Sequence, residues 1–265
     1  MLSRLTRLSR PAALGLCAVP VLALFGVAAA APLPFVLARP GMTADVLGEQ
    51  KGRPVISITG APVRETNGQL RMTTILATSP SATVRLSELV DNWFRTDRAV
   101  LPKESVYPSG KSDAEIEERN LEQMARSQSD AALAALDFLD EDPKKVKVDL
   151  ELADVGGPSA GLLFSLGIVD KLDGNGSGKD LTGGRTIAGT GTISAAGEVG
   201  PVGGVGLKTQ AAKRDGATVF LVPKAECSDA AAHLPAGLRL IPVTTLSGAV
   251  DALRALDAGR AVPAC

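Results

Sequence analysis

Ser159 is the first residue of the sequence whose type and setting suggest chemistry. It lies in the segment GGPSAG at residues 156–161, where a proline precedes it and glycines let the backbone bend. Residues 145–152 alternate and predict a strand before this segment, and residues 162–172 are apolar at helical spacing and predict a helix after it. Backbone N–H groups at a helix start can stabilise an oxyanion. Ser159 is therefore a candidate nucleophile, although a serine at this place is also a common helix N-cap.

A nucleophilic serine needs a base, and the sequence offers two kinds. Residues 157–161 also satisfy the pattern G-x-S-x-G of α/β-hydrolases, which requires an acid and then a histidine downstream. The one histidine, His233, lies in an alanine-rich, loop-like stretch, and the upstream run of parallel strands such a hydrolase needs is missing. An esterase that uses Ser159 and His233 is one alternative. A lysine can also activate a serine when burial keeps it neutral.

Lys208 is the lysine that the helical pattern places towards the protein interior. Residues 205–215 predict a helix, and at about 100° per residue Lys208 falls on one face with a valine and two alanines. On the same helix Arg214 points away and Lys213 lies at the edge of the face. Lys208 is thus the candidate general base, and the alternative is a lysine that extends from a partly buried helix to solvent.

Four ordered blocks around these residues resemble the proteolytic domain of Lon peptidases. The blocks are GGPSAG at 156–161, AGTGTI at 188–193, GEVGPVGG at 197–204 with Lys208 four residues on, and GATVFLVP at 216–223. The resemblance covers residues 144–256 and implies an α+β Lon proteolytic fold with a Ser–Lys dyad. It implies Ser159 as nucleophile, Lys208 as base and Thr190 as the hydroxyl that positions the lysine. Lon-type domains commonly form rings, so the resemblance also implies a homo-oligomer.

The upstream half resembles the exported, membrane-anchored PDZ-and-Lon peptidases of Gram-positive bacteria. The resemblance rests on Gly60, the strand at 70–78, Trp93 and the long helix that contains Met124, Ser127 and Gln128. That helix passes within a few residues into the next strand, which leaves no room for an ordinary PDZ module. ATP-dependent Lon enzymes commonly carry an acidic residue three before the serine, where this chain has Gly156.

The N-terminus predicts insertion into a membrane. Arg4, Arg7 and Arg10 precede residues 11–37, which carry no charge, so the chain after residue 39 is expected on the outer face. A cleaved signal peptide is the alternative, but the apolar run continues past the alanine-rich cleavage sites and favours an uncleaved anchor.

The exported part of the chain contains two cysteines, Cys227 and Cys265, and an oxidising compartment would favour a disulfide between them. Their distance cannot be read from the sequence, so the pairing stays open at this point.

The pattern divides the chain into three segments: an anchor or signal at 1–39, a β-hairpin and helical region at 40–143, and the Lon-type domain at 144–265. In the second segment we expect a hairpin of residues 55–58 and 70–78 that turns at Asn67 and Gly68. The other elements expected are helices at 86–94, 112–139 and 246–256, a loop at 103–113, and strands within 185–194, 218–222 and 238–243.

Composition narrows the function. The net charge of −1 and the 3% of aromatic residues exclude a basic groove with stacking platforms for nucleic acid. Residues 174–179 (GNGSGK) lack the flanking residues of a phosphate loop, and we find no metal-ligand spacing. Together with the resemblance to Lon peptidases, which implies the peptidase activity, these exclusions lead us to expect an ATP-independent serine endopeptidase, without cofactor or metal, that hydrolyses exported or membrane proteins. The alternative is a catalytically silent, membrane-bound Lon-like scaffold or binding module.

Overall fold

The computed structural model describes residues 9–107, 111–152 and 157–265. Arg4, Arg7 and Gly156, which the sequence analysis named, lie outside the described residues. The helices have the bounds α1 Arg10–Ala30, α2 Leu86–Trp93, α3 Lys103–Val106, α4 Asp113–Phe138, α5 Gly161–Leu172, α6 Val205–Arg214, α7 Cys227–Ala232 and α8 Leu246–Asp257. The strands are β1 Phe35–Asp45, β2 Glu49–Gln50, β3 Arg53–Pro54, β4 Ile56–Thr59, β5 Gln69–Ala77, β6 Ala99–Pro102, β7 Lys147–Leu150, β8 Thr186–Gly189, β9 Thr192–Ile193, β10 Val199–Gly200, β11 Val219–Pro223 and β12 Arg239–Val243.

The chain folds into two compact units. The smaller consists of Met1–Ala38 and Ala77–Gly110, and the larger of Arg39–Leu76 and Lys111–Cys265. The larger unit therefore takes residues from both sides of residue 144, where the sequence pattern places a domain boundary. The division of the chain into domains at residues 39 and 143 stays a prediction.

The smaller unit contains α1, α2, α3 and β6. The first residues of β1 pair antiparallel with β6, from Phe35 opposite Pro102 to Ala38 opposite Ala99. Within the described residues, α1 is the one helix long and apolar enough to cross a membrane, with 20 residues from Pro11 to Ala30 and a mean hydropathy of 2.3. This length and composition fit either a membrane span or a signal sequence.

The larger unit is a mixed α and β structure built on one curled sheet. Its strands lie in the order β12, β11, β8, β5, β1, and β5, β8, β11 and β12 run parallel to one another. Strand β11 is buried on both faces: Val219 and Leu221 pack into the core with α4, α5 and α8, whereas Phe220 and Val222 pack against α6 and α7. The sheet thus separates α5 from α6, and α5 is buried along most of its length.

Most of the elements predicted from local patterns form where expected. Ser112 caps α4 and accepts a hydrogen bond from the Glu115 backbone, with the reciprocal bond of a capping box. Thr245 caps α8 in the same way through the amide of Gly248.

The predicted hairpin is wrong. Strand β4 pairs antiparallel with β7, from Ile56 opposite Leu150 to Thr59 opposite Lys147, and β5 pairs in parallel with β8. The Asn67 carbonyl instead accepts a hydrogen bond of 2.7 Å from Thr182 Oγ1. Asn67 and Gly68 thus lead the chain into β5 beside β8 rather than turning it back on β4, because parallel partners far along the chain outcompete the local turn.

Two smaller expectations also need correction. The predicted loop at 103–113 contains the short helix α3, Lys103–Val106. The apolar run at 11–37 does not continue as helix, since α1 ends at Ala30 and β1 begins at Phe35. Residues 31–37 of the run therefore lie outside the helix, with the last three in β1, and the length of the run no longer argues for an anchor over a signal peptide.

Candidate active site

Ser159 lies in the turn that leads into α5, and its main chain is held from three sides. Gly157 has a φ of +89°, a conformation that glycine adopts without strain. The carbonyl of Pro158 accepts a hydrogen bond of 3.1 Å from Ser127 Oγ on α4. The carbonyl of Ser159 accepts one of 3.1 Å from the amide of Gly191 and one of 3.2 Å from Thr190 Oγ1. The serine backbone is therefore fixed by the residues directly after β8.

Ser159 does not cap the helix. Helix α5 begins at Gly161, its N-cap is Ala160, and no side chain accepts a capping hydrogen bond there. The Ser159 side chain is half-buried and is left for another role.

Lys208 is buried, as its position on α6 predicts. It is 3% exposed although it carries an ammonium group, and the other buried residues of α6 are uncharged. Lys213, one and a half turns later on the same helix, is half-buried, and Arg214 is exposed. The helical arc thus separates one buried cation from two that reach solvent.

Thr190 connects Lys208 to the serine turn. Lys208 Nζ donates a hydrogen bond of 3.1 Å to Thr190 Oγ1, and Thr190 Oγ1 donates one of 3.2 Å to the Ser159 carbonyl. A hydroxyl has one proton, so giving it to Ser159 leaves only lone pairs towards the lysine. Thr190 Oγ1 therefore accepts a hydrogen bond from one Nζ proton. When the amine is neutral, its lone pair points away from Thr190.

The electrostatics of Lys208 favour a base. Burial lowers the pKa of the Lys208 ammonium from 10.5 to about 8, because charge is poorly solvated in the interior. The Glu226 carboxylate opposes this change and raises the pKa of Lys208. Burial also raises the pKa of Glu226 itself, while its Oε2 accepts a hydrogen bond of 2.9 Å from the amide of Val202. A substantial fraction of Lys208 is consequently neutral at mildly alkaline pH.

Ser159 and Lys208 line the same cavity, of about 250 Å³. The lining residues come from β5, the serine turn, β9, the loop before α6 and α6 itself: Thr74, Ile75, Pro158, Ser159, Thr192, Pro201, Val202, Gly203 and Lys208. The hydrogen bonds of the described residues include none between Ser159 Oγ and Lys208 Nζ. Catalytic hydrogen bonds often form fully only with substrate in place, so the shared cavity is the relevant geometry.

Comparison with known proteins identifies the domain that contains these residues. The family model for the Lon protease (S16) C-terminal proteolytic domain matches residues 122–253. The chain belongs to the Lon-type (S16) family of serine peptidases. The matched part includes Ser159, Thr190 and Lys208 and leaves out α1. A search of curated proteins found no match to the chain.

Backbone amides of the Lon-type domain could hold an oxyanion, but not all of those expected at the helix start are available. The amide of Leu162 donates to the Gly191 carbonyl at 3.2 Å. Within the part of the chain that the structure describes, the amides of Ala160 and Gly161 donate to no acceptor. These two are the remaining helix-start donors next to Ser159.

His233 takes no part in this site. It is the exposed C-cap residue of α7 and is not among the residues that line the cavity of Ser159. The esterase alternative therefore has no base at the serine.

The segment at 174–179 is a closed loop rather than a phosphate cradle. The Arg64 guanidinium donates to the Gly178 carbonyl at 3.1 Å and lies where a side chain at Gly174 would stand. The Arg64 guanidinium therefore already occupies this loop and binds one of its carbonyl groups.

Sequence reasoning missed Glu226. It lies in the short turn after β11, is 8% exposed, and acts on both Lys208 and the Val202 loop. Nothing in its local pattern indicates this, because the contact depends on how α6 packs on β11.

The two cysteines are joined in the structure: Cys227, directly after Glu226, forms a disulfide with Cys265, with Cα atoms 5.3 Å apart.

Proposed function

We propose that this peptidase hydrolyses peptide bonds without ATP through a dyad of Ser159 and Lys208, with Thr190 as the positioning residue. The observation that carries the proposal is a buried lysine with a pKa of about 8 that lines the cavity of a serine held at a helix start. Most lysines are exposed and charged at neutral pH, so this combination is uncommon outside functional sites.

The chemistry follows from the atoms present. Neutral Lys208 accepts the proton of Ser159 Oγ as that oxygen attacks the substrate carbonyl carbon. The oxyanion formed accepts hydrogen bonds from amides such as those of Ala160 and Gly161. Lys208 then gives this proton to the leaving amine as the C–N bond breaks. The neutral lysine next takes a proton from a water that attacks the acyl carbon, and it returns that proton to Ser159 Oγ as the acyl–oxygen bond breaks. Lys208 thus accepts and returns one proton in each half of the reaction, so the cycle uses no metal or cofactor.

Thr190 keeps Lys208 in the orientation that this cycle needs. Its hydroxyl binds one Nζ proton and is itself anchored on the Ser159 carbonyl. We expect Thr190→Val to lower the rate of acylation and Thr190→Ser to retain most of it, because serine keeps the hydroxyl. Loss of activity in Thr190→Ser with activity retained in Thr190→Val would indicate a packing role for the methyl group instead.

The proposed substrates are exported or membrane proteins. Helix α1 supports delivery of the chain to a membrane, and the disulfide of Cys227 and Cys265 fits an oxidising compartment. We further propose that the full chain acts as a homo-oligomer, as expected from its family. Light scattering of the full chain in detergent, with the empty micelle as reference, tests this, and a monomer at all active concentrations contradicts it.

Proteolysis without nucleotide is the test of the activity. The full chain in detergent is incubated with an unfolded, fluorescently quenched protein substrate, for the wild type and for Ser159→Ala and Lys208→Met. Loss of a general base lowers such rates by about 10²–10⁴-fold, so both variants should fall to near background. Lys213→Met and Ser129→Ala are matched controls on accessible helix positions and should retain activity. Wild-type protein that binds but never cleaves substrate would favour the silent scaffold.

A further inference from the structure

Helix α2 exposes much of an apolar face, and none of its residues is buried in the described part of the chain. Leu86, Leu89, Val90 and Trp93 fall within one arc of about 100°, since helical positions advance about 100° per residue. Val90 is 48% exposed and Trp93 62%, and Phe94, at the C-terminus of the helix, is 82% exposed. A monomeric soluble protein rarely exposes neighbouring large apolar and aromatic side chains in this way.

The helix is well formed despite this exposure. The Arg85 amide donates to Glu88 Oε2 at 2.9 Å, as part of a capping box at the start of α2. Asn92 Nδ2 donates to the Glu88 carbonyl at 2.7 Å. The opposite face carries Ser87, Glu88 and Asp91, so α2 is strongly amphipathic.

The position of α2 shows what could cover the apolar face. Three residues after the end of α1, the amide of Leu33 donates to the Val84 carbonyl at 2.9 Å, and the two residues form a β-bridge. Val84 is buried and stands two residues before α2 begins. Helices α1 and α2 also contact each other. The start of α2 is therefore tied to the C-terminal end of a 20-residue apolar helix, Pro11–Ala30, none of whose residues is buried.

We propose that α2 lies in the interface of the lipid bilayer at the C-terminal end of α1, with Trp93 and Phe94 among the headgroups and acyl chains. Amphipathic helices at such an interface bury their apolar face about 5–10 Å deep. Tryptophan is enriched at this level, because its ring is apolar while its N–H still finds a partner. Glu88 and Asp91 then face water. The bilayer contact is independent of the proposed peptidase mechanism, since no residue of α2 lines the Ser159 cavity.

Trp93 makes the proposal directly testable, because it is the single tryptophan of the chain. The full chain is reconstituted into phosphatidylcholine vesicles with and without bromine on the acyl chains, and Trp93 emission is recorded. We expect a blue-shifted spectrum, strong quenching by the brominated lipid, and weak quenching by acrylamide in water.

Variants on the two faces of α2 provide the comparison. Val90→Glu should reduce bromolipid quenching and increase acrylamide quenching several-fold, whereas Asp91→Asn on the opposite face should change neither. Both positions are exposed, so the fold should tolerate both substitutions, and circular dichroism checks that the variants fold. If Val90→Glu fails to fold, the quenching of wild-type Trp93 decides whether α2 contacts the bilayer. Emission that acrylamide quenches and brominated lipid does not would overturn the proposal. Protection from both quenchers would place a protein surface on α2, such as a second copy, and would also overturn it.

Discussion

Replacing Lys208 with methionine should make the protein more stable at neutral pH, although it removes a hydrogen bond. The folded-state pKa of Lys208 is about 8 against 10.5 in the unfolded chain. At about 1.4 kcal/mol per pKa unit, the buried ammonium destabilises the native state by about 3 kcal/mol at pH 7. Methionine has similar length and no charge, and the lost hydrogen bond to Thr190 offsets about 1 kcal/mol of the gain. The expected net gain is about 2 kcal/mol.

The sign of the pH dependence follows from proton binding. Between pH 8 and 10.5 the unfolded lysine holds a proton that the folded one has lost, so wild-type stability rises with pH in this window. The advantage of Lys208→Met should therefore be complete below pH 8 and disappear towards pH 10.5.

Thermal and denaturant unfolding at pH 7 and pH 10 measure this difference. The gain corresponds to a rise in Tm of roughly 4–8 °C at pH 7, and it should be clearly smaller at pH 10. Lys213→Met, on the same helix but half-buried, is the control and should give little gain. If Lys208→Met were destabilising at pH 7, or its effect did not change with pH, the lysine would be a structural residue with an ordinary pKa.

Three further predictions rest on other contacts. The rate of acylation should rise with pH through about 8 in a pH–rate profile. Glu226→Gln should move this rise to lower pH, because the Glu226 carboxylate raises the pKa of Lys208. An unchanged profile in Glu226→Gln would contradict this effect of Glu226 on Lys208. Cys227 and Cys265 lie 38 residues apart, and reducing their disulfide should destabilise the fold by about 4 kcal/mol. Unfolding with and without dithiothreitol measures this difference, and the stability of Cys265→Ser should not change with the reductant. Asp170 is fully buried, and burial raises the pKa of its carboxyl from 3.8 to about 6. The stability of the wild type therefore falls as pH rises from about 4 to 6. Asp170→Asn should be more stable than the wild type by up to about 3 kcal/mol at pH 7 and equal to it near pH 3.5. A loss of stability in Asp170→Asn at pH 7 would refute this explanation of the carboxyl.

Local patterns predicted the elements that carry the site. The capping residue Ser112, the unbroken alternation before Ser159 and the apolar arc of α6 each encode their structure within about ten residues. For this reason the burial of Lys208 could be predicted from spacing alone. The contact between Lys208 and Thr190 came from family resemblance, because the two lie 18 residues apart and meet only through the packing of α6 on the sheet.

Pairing between distant strands could not be predicted. Asn67 and Gly68 satisfy a hairpin pattern, yet β4 pairs with β7 about ninety residues away and β5 with β8. Such choices depend on which apolar faces meet in the core, and a turn of two residues contributes little against them. Glu226 was missed for the same reason, since its partners at Val202 and Lys208 become neighbours only in the folded chain.

The most direct test of the dyad is mass spectrometry of the full chain after reaction with an acylating serine probe, at pH 6 and pH 9. We expect a single acyl group on Ser159 that forms faster at pH 9 than at pH 6, is absent in Ser159→Ala and Lys208→Met, and persists in Lys213→Met. Acylation of Ser159 that survives in Lys208→Met with the same pH dependence would contradict the role of Lys208 as the base.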